Sequence, residues 1–257
     1  MQKISAFIIT KNEADRVGRC ITSLQDVVDE IIVVDSGSTD DTVKLCEQMG
    51  ATVMFRPWSG FGPQKVFAES QCTHNWILNL DADEELTENL KQEILELKTA
   101  HHERLQAITA FFIKRKTVFW YDKKPRKFAI TDKMIRLYNK TKSGFNDSPV
   151  HDSVIIREGG VATLKSPMLH YCFRSHTHAL DKINHYSTLQ AEDMLKKNRR
   201  PSTLRILTEP FTAFIKSYFL RKYIVYGLDG LIQTYIYVFA RILRLAKARE
   251  MFQIKKS

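Results

Sequence analysis

The run Glu30-Ile-Ile-Val-Val-Asp35 constrains this chain more than any other stretch. Four consecutive β-branched residues leave no polar face, so the strand they form must be covered on both sides, as in a parallel sheet between helices. Neighbouring segments repeat the plan. Residues 3–9 form a short apolar run, followed by a polar turn at Thr10–Glu13 and a helical pattern over 14–24 that puts Val17, Cys20, Ile21 and Leu24 on one face. Residues 36–40 are rich in helix-capping types and predict a helix over 40–49. Residues 51–55 read as a third strand, and a Gly/Pro loop over 56–63 precedes a helix ending near Cys72. Residues 76–80 make a fourth strand that runs into Asp81-Ala-Asp83, and Thr87 caps a helix reaching Lys98.

Strands and helices alternating at this spacing make βαβ units with right-handed crossovers, whose ligands bind beyond the carboxyl ends of the strands. Three polar clusters, 10–13, 35–38 and 81–83, therefore converge on one edge of a sheet. Two carboxylates at i and i+2, on a turn after a buried strand, can offer oxygens to one hard cation, Mg2+ or Mn2+. Such a cation bridges a diphosphate and offsets the charge growing on it as it leaves. Alone, Asp81-Ala-Asp83 also fits a solvated acidic helix start shared with Glu84 and Glu85. Asp35 at its strand tip can accept hydrogen bonds from a base N–H or a ribose hydroxyl, or simply organise an Asx turn.

Beyond residue 105 the pattern changes. Short β-like runs at 108–115, 134–138, 153–157 and 168–171 alternate with basic loops and predict mixed strands completing the sheet. A helix is predicted over 177–198, and 204–251 reads as helical, aromatic and basic. A boundary near Pro201 then separates a catalytic domain, 1–200, from a C-terminal helical appendage, 201–257. Charge follows the same division: residues 1–100 carry 9 Lys and Arg against 17 Asp and Glu, and the rest carries 30 against 12. Residues 196–257 alone hold 14 basic and 3 acidic side chains, interleaved with aromatics from Phe211 to Phe239. A basic helical segment with aromatic anchors suits the headgroup plane of an anionic bilayer.

Several classes drop out. With 44% hydrophobic and 26% charged residues the chain is not disordered. It has no 18-residue apolar run for a membrane span, and residues 1–9 do not make a signal h-region. Cys20, Cys46, Cys72 and Cys172 lie far apart without CxxC pairing, which predicts free thiols in a reducing, cytosolic setting. Gly60-Phe-Gly62 is not a P-loop, and no GxGxxG is present, which argues against a nicotinamide enzyme. Nucleic acid is an unlikely partner by pattern, since no recognition-helix, zinc-finger or RNP motif accompanies the basic residues.

Taken in order, FIITKNE, EIIVVDSGSTDDT and WILNLDADEE resemble the family 2 inverting glycosyltransferases, which have the GT-A fold, a Rossmann-like α/β domain with a mixed central sheet. Arg56-Pro-Trp-Ser-Gly-Phe-Gly, Val150-His-Asp152 and the C-terminal helices are similar to the branch that adds glucose to the inner core of lipopolysaccharide. The resemblance implies a UDP-sugar donor, Mg2+ or Mn2+, and a lipid-linked saccharide acceptor (lipid A-core) at the cytoplasmic face of the inner membrane. It implies that Thr10, Asn12 and Glu13 border the nucleoside and that Asp35 reads the uracil or ribose. Asp81 and Asp83 match the metal motif, with Asp83 the direct ligand, and Lys65 meets the diphosphate. Asp152 is then the base that deprotonates the acceptor, at a place where the family often carries Glu. His170 supplies a further metal ligand, touches a phosphate, or is structural. His176 and His178 read as the first turn of a helix or as neighbours of the acceptor. A capsule, polyprenyl-linked or protein acceptor stays open, as does a non-catalytic nucleotide-binding module at a membrane.

Overall fold

The computed structural model describes residues 3–99, 107–119, 122–128, 131–149, 152–171 and 173–255. Contacts group the chain into two compact units, the first Met1–Val118 with Thr131–Tyr171 and the second Phe119–Ile130 with Cys172–Ser257.

The first unit begins as the alternation predicts: β1 (Ile4–Thr10), α1 (Val17–Leu24), β2 (Glu30–Asp35), α2 (Thr42–Gln48), β3 (Thr52–Phe55), α3 (Phe61–Gln71) and β4 (Trp76–Asn79). It continues through β5 (Glu84–Leu86), α4 (Glu88–Thr99), β6 (Ile108–Thr117), β7 (Thr131–Asn139), β8 (Ser143–Phe145), β9 (Val154–Ile156) and β10 (Gly160–His170). Among the described residues these build an eight-stranded sheet in the order β3-β2-β1-β4-β7-β6-β10-β5, with β8 and β9 paired separately. Strands β3, β2, β1 and β4 are parallel, β7 runs antiparallel to β4 and β6, and β10 is parallel to β6. Strand β5 closes the edge antiparallel to β10. The order reverses between β1 and β4, which opens a crevice beyond their carboxyl ends.

Side chains alternate across the sheet as the pleat requires. Ile4, Ala6, Ile8, Val33 and Leu78 join the core that holds Val17, Cys20, Ile21 and Leu24 of α1 with Leu90 and Ile94 of α4. Phe7, Ile32, Val34 and Ile77 face the other way, onto Ala68 of α3, Cys72 just past its end, Tyr138 and Phe145. Each fully buried Ile or Leu contributes roughly 1.5–3 kcal/mol to folding.

Some expectations shift. Glu84 belongs to a strand and is buried, and α4 starts only at Glu88, so the acidic segment is not a solvated helix start. Helix α3 starts at Phe61, inside the expected loop, with Pro63 in its first turn where a missing N–H does no harm. Cys20, Cys46 and Cys72 are free and buried. Burial pushes the Cys46 thiol up to about 11 and that of Cys72 up to about 12. Cys172 lies outside the described residues.

The second unit holds α5 (His176–Lys196), α6 (Thr203–Ile215), a π-helical turn (Lys216–Leu220), a 3-10 turn (Tyr223–Tyr226) and α7 (Gly227–Ile254). Ser175 caps α5 by accepting the His178 N–H, and Ser202 caps α6 by accepting the Arg205 N–H. Helix α5 therefore groups with the C-terminal helices, and Ala191 and Met194 pack on Leu245 and Ala248 of α7. Left-handed Lys222 (φ 61°) ends the π turn, so the predicted helical stretch over 204–251 is interrupted. Among the described residues no helix is long and apolar enough to cross a membrane.

Candidate active site

The tips of β1 and β2 are in register, with Thr10 beside Asp35. Asp35 is buried, and its Oδ1 accepts the N–H groups of Gly37 and Ser38, both at 2.8 Å. Its Oδ2 accepts the hydroxyls of Ser38 (2.5 Å) and Thr10 (3.2 Å). Four accepted bonds fill the acceptor directions of a carboxylate, so in this conformation Asp35 organises its loop. Asn12, in the left-handed region at φ 55°, fastens the first loop to the second. Its N–H donates to Ser38 Oγ (2.8 Å), and its Oδ1 accepts the Thr39 N–H (2.8 Å). The Glu13 N–H donates to Thr42 Oγ1 at 2.8 Å. Thr10, Asn12, Glu13 and Asp35 thus form one stitched wall.

A chain of charges runs beside that wall. Lys65, in the first turns of α3 and 3% exposed, holds Asp81 Oδ1 at 2.9 Å and Asp152 Oδ2 at 2.8 Å. Arg136, buried on β7, donates to Asp81 Oδ2 and Glu84 Oε1, both at 2.6 Å, and to Asn79 Oδ1 at 2.5 Å. Burial alone would raise the Asp81 carboxyl, but the charges of Arg136 and Lys65, and their hydrogen bonds, hold it well below the usual carboxylate range. Arg115 shares Glu84 with Arg136 at 3.1 Å.

Asp83 stands on the opposite side of the same turn. Its Oδ2 lies 3.6 Å from His170 Nε2, at the end of β10, and 3.8 Å from Arg16 Nη1. Arg16 is buried and grips Glu13 through Nε (2.5 Å) and Nη2 (3.2 Å) while Nη1 donates to the Tyr171 carbonyl (3.0 Å). Among the described residues no group of three or more His, Cys, Asp and Glu side chains gathers closely enough to hold a metal ion. Asp83 and His170 nevertheless fit a shared divalent cation of the Mg2+ or Mn2+ type. Such ions take one or two protein donors and complete their shell with water and substrate phosphate. Asp81 contributes differently, its carboxylate being bound to two side-chain cations.

Asp152 owes its place to the glycines of the 60–62 segment. A Cβ on Gly62 would lie 2.5 Å from the Ser148 carbonyl and 2.6 Å from that of Asn146, and one on Gly60 (φ 115°) would strike Pro149. This close approach lets the Phe61 and Gly62 N–H groups donate to the Pro149 and Ser148 carbonyls, both at 3.0 Å. The segment leading to Asp152 is thereby locked onto α3 beside Lys65. Val150 and His151 of the same motif lie outside the described residues.

Two contributors escaped the sequence reading, Arg136 and Arg16, and a third, Glu84, was read there only as part of a solvated acidic helix start. Arg136 left one signal, a lone charge in the otherwise apolar run Met134-Ile-Arg-Leu-Tyr138. Glu84 and Arg16 resembled ordinary surface residues.

A mixed sheet whose polar strand tips meet at its switch point, carrying an Asp-x-Asp turn, is a GT-A-like fold of the glycosyltransferase class. The chain belongs to glycosyl transferase family 2, whose sequence profile matches residues 5–155. It is 46% identical over 258 residues to an uncharacterized glycosyltransferase of Rickettsia felis, covering 97% of this chain and 90% of that one. It is 31% identical over 258 residues to the lipopolysaccharide core biosynthesis glycosyltransferase LpsC of Rhizobium meliloti, covering 98% and 94% of the two chains. Among solved structures it is similar to glucosyl-3-phosphoglycerate synthase from Mycobacterium tuberculosis in complex with Mn2+, uridine diphosphate and phosphoglyceric acid. That match is 26% identical over 46% of this chain and 43% of the other, with a TM-score of 0.34.

Proposed function

We propose that this glycosyltransferase is an inverting hexosyltransferase that moves glucose from UDP-glucose to an inner-core sugar of lipopolysaccharide or lipooligosaccharide. The observation that carries the reading is the single ammonium of Lys65, 2.9 Å from Asp81 and 2.8 Å from Asp152. Through it the carboxylate expected to act on the acceptor and the Asp-x-Asp turn share one counter-ion, which supports placing both at one bound donor sugar. Inversion needs a base on the acceptor side while the diphosphate departs from the opposite face. Asp152 takes the acceptor proton, and Lys65 orients its carboxylate. The wall of Thr10, Asn12, Glu13 and Asp35 holds the nucleoside. Asp83 and His170 hold the divalent cation, which when bound supplies positive charge to the departing diphosphate.

Full-length similarity to LpsC supports the acceptor class. In this reading the catalytic domain lies within 1–200. The basic region 201–257 keeps the enzyme peripheral to the cytoplasmic face of the inner membrane, against an anionic lipid surface. The test is UDP release from a panel of UDP-sugars with truncated core acceptors, and the anomeric configuration of the product by NMR. We expect turnover with UDP-glucose, a β-linked product, and an Asp152→Asn variant that binds UDP-glucose normally but transfers at least a hundred-fold more slowly (~10²). Retention of configuration, or unimpaired transfer by Asp152→Asn, would overturn the assignment.

A further inference from the structure

Helix α6 carries two features that the transfer reaction does not use. Leu204, Leu207, Phe211 and Ile215 are 71%, 65%, 73% and 53% exposed. At about 100° per residue they form one continuous stripe along the helix. The opposite side of α6 buries Glu209 and Ala213. Among the described residues Glu209 is the one carboxylate paired with three guanidinium groups: Arg241 Nε at 2.5 Å, Arg244 Nη2 at 3.6 Å and Arg205 Nε at 3.8 Å. Nε and Nη2 of Arg244 are buried with no hydrogen-bond partner among the described residues. The cluster thus carries an excess of positive charge, with the Arg244 donors enclosed. Arg205 lies partly open to solvent on the flank between the stripe and the buried side.

We propose that α6 is an interfacial anchor, its stripe inserted among the acyl chains of an anionic bilayer and Arg205 on its flank holding a phospholipid headgroup phosphate. This deepens, and rests on, the reading of the chain as a peripheral membrane enzyme. The occupant is argued from charge. An apolar stripe alone could suit a second copy of the chain. Residues 196–257 hold 14 basic against 3 acidic side chains, an excess that would repel a second copy and attract phosphate, with Arg205 the guanidinium of the cluster open to it. In-plane binding of this kind draws on both buried apolar area and attraction to anionic lipid, so the two parts separate experimentally.

The test is flotation of the full chain with vesicles of phosphatidylcholine containing phosphatidylglycerol, compared with pure phosphatidylcholine, over a range of salt. Wild type should partition onto the anionic vesicles, more weakly as salt rises. Leu207→Glu and Phe211→Glu should each lower the partition coefficient roughly ten-fold or more at every salt concentration. Arg205→Gln should lower it a few-fold at low salt and flatten the salt dependence. Because the substituted side chains are exposed, far-ultraviolet circular dichroism should be unchanged, as should UDP release with a soluble truncated acceptor. If wild type fails to float, the peripheral-membrane reading falls. If wild type floats and the α6 variants float equally well, that reading stands and the present inference is overturned. A wild-type dimer in analytical ultracentrifugation without lipid, made monomeric by Leu207→Glu, would overturn it in favour of a second copy.

Discussion

Placing a lysine ammonium out of water costs several kcal/mol unless anions meet it. Lys65 is met by two, Asp81 and Asp152. Lys65→Met would strip Asp81 of one of the two cations that hold its carboxyl down. That carboxyl should then rise toward its ordinary value, still well below neutrality, and move the acidic limb of the kcat profile to higher pH; kcat at neutrality should fall separately, because Asp152 loses the ammonium that orients it. A pH–rate series on the variant checks this, and an unmoved limb would mean that the pairing has no influence on turnover. Arg136→Met should cost stability instead, about 3–5 kcal/mol, because Asp81 and Glu84 lose their shared partner inside the protein. The urea midpoint reads that loss. Asp81 and Asp83 were legible from the sequence because their chemistry is written in adjacent letters. Arg136 and Arg16 were not, because Arg136 meets Asp81 across 55 positions and Arg16, beyond its neighbour Glu13, meets the Tyr171 carbonyl across 155, contacts that only the fold makes.

The helices α1 to α4 were readable from a 3.6-residue period or from capping and turn residues before them, and the strands β1 to β4 as short, largely apolar runs between turn residues. Strands β5 and β8 have three residues each, too few for any period, and take their conformation from the strands beside them. The Gly60-Phe-Gly62 segment was readable as a loop other than a phosphate loop and as part of a family resemblance, but not for its contacts. Its actual task is to let α3 touch the backbone of residues 146–149. Gly62→Ala should therefore cost about 1–3 kcal/mol through overpacking. The same change should lower kcat more than affinity for UDP, since it displaces the approach to Asp152 while leaving the β1 and β2 tips intact. Thermal melting together with isothermal titration of UDP would check both halves.

Over the whole molecule, ionisation sets an acid limit. Against the upward push of burial, hydrogen bonds and neighbouring charges hold Asp29, Glu30, Asp40 and Asp132 low, and Asp81 lower still. Carboxylates whose folded values lie beneath their unfolded ones add stability that is present above about pH 4 and lost as pH falls through the folded values. Glu69 acts oppositely, since burial raises it, so it favours the folded state as it gains its proton. Among the described residues, one such group against these five leaves the net sign unchanged. The melting temperature should hold near neutrality and drop most steeply below about pH 4, which a calorimetric series from pH 7 to pH 3 would establish. The Asp81–Asp83 turn is secured within the same framework. The Asp81 N–H donates to Glu84 Oε2, the Glu84 N–H to the Asp81 carbonyl and the Tyr171 N–H to the Asp83 carbonyl, each at 2.9 Å. A turn tethered at both ends keeps its shape when product departs. The entropy of arranging it is lost once, as the chain folds, and is not lost afresh with every sugar that passes through.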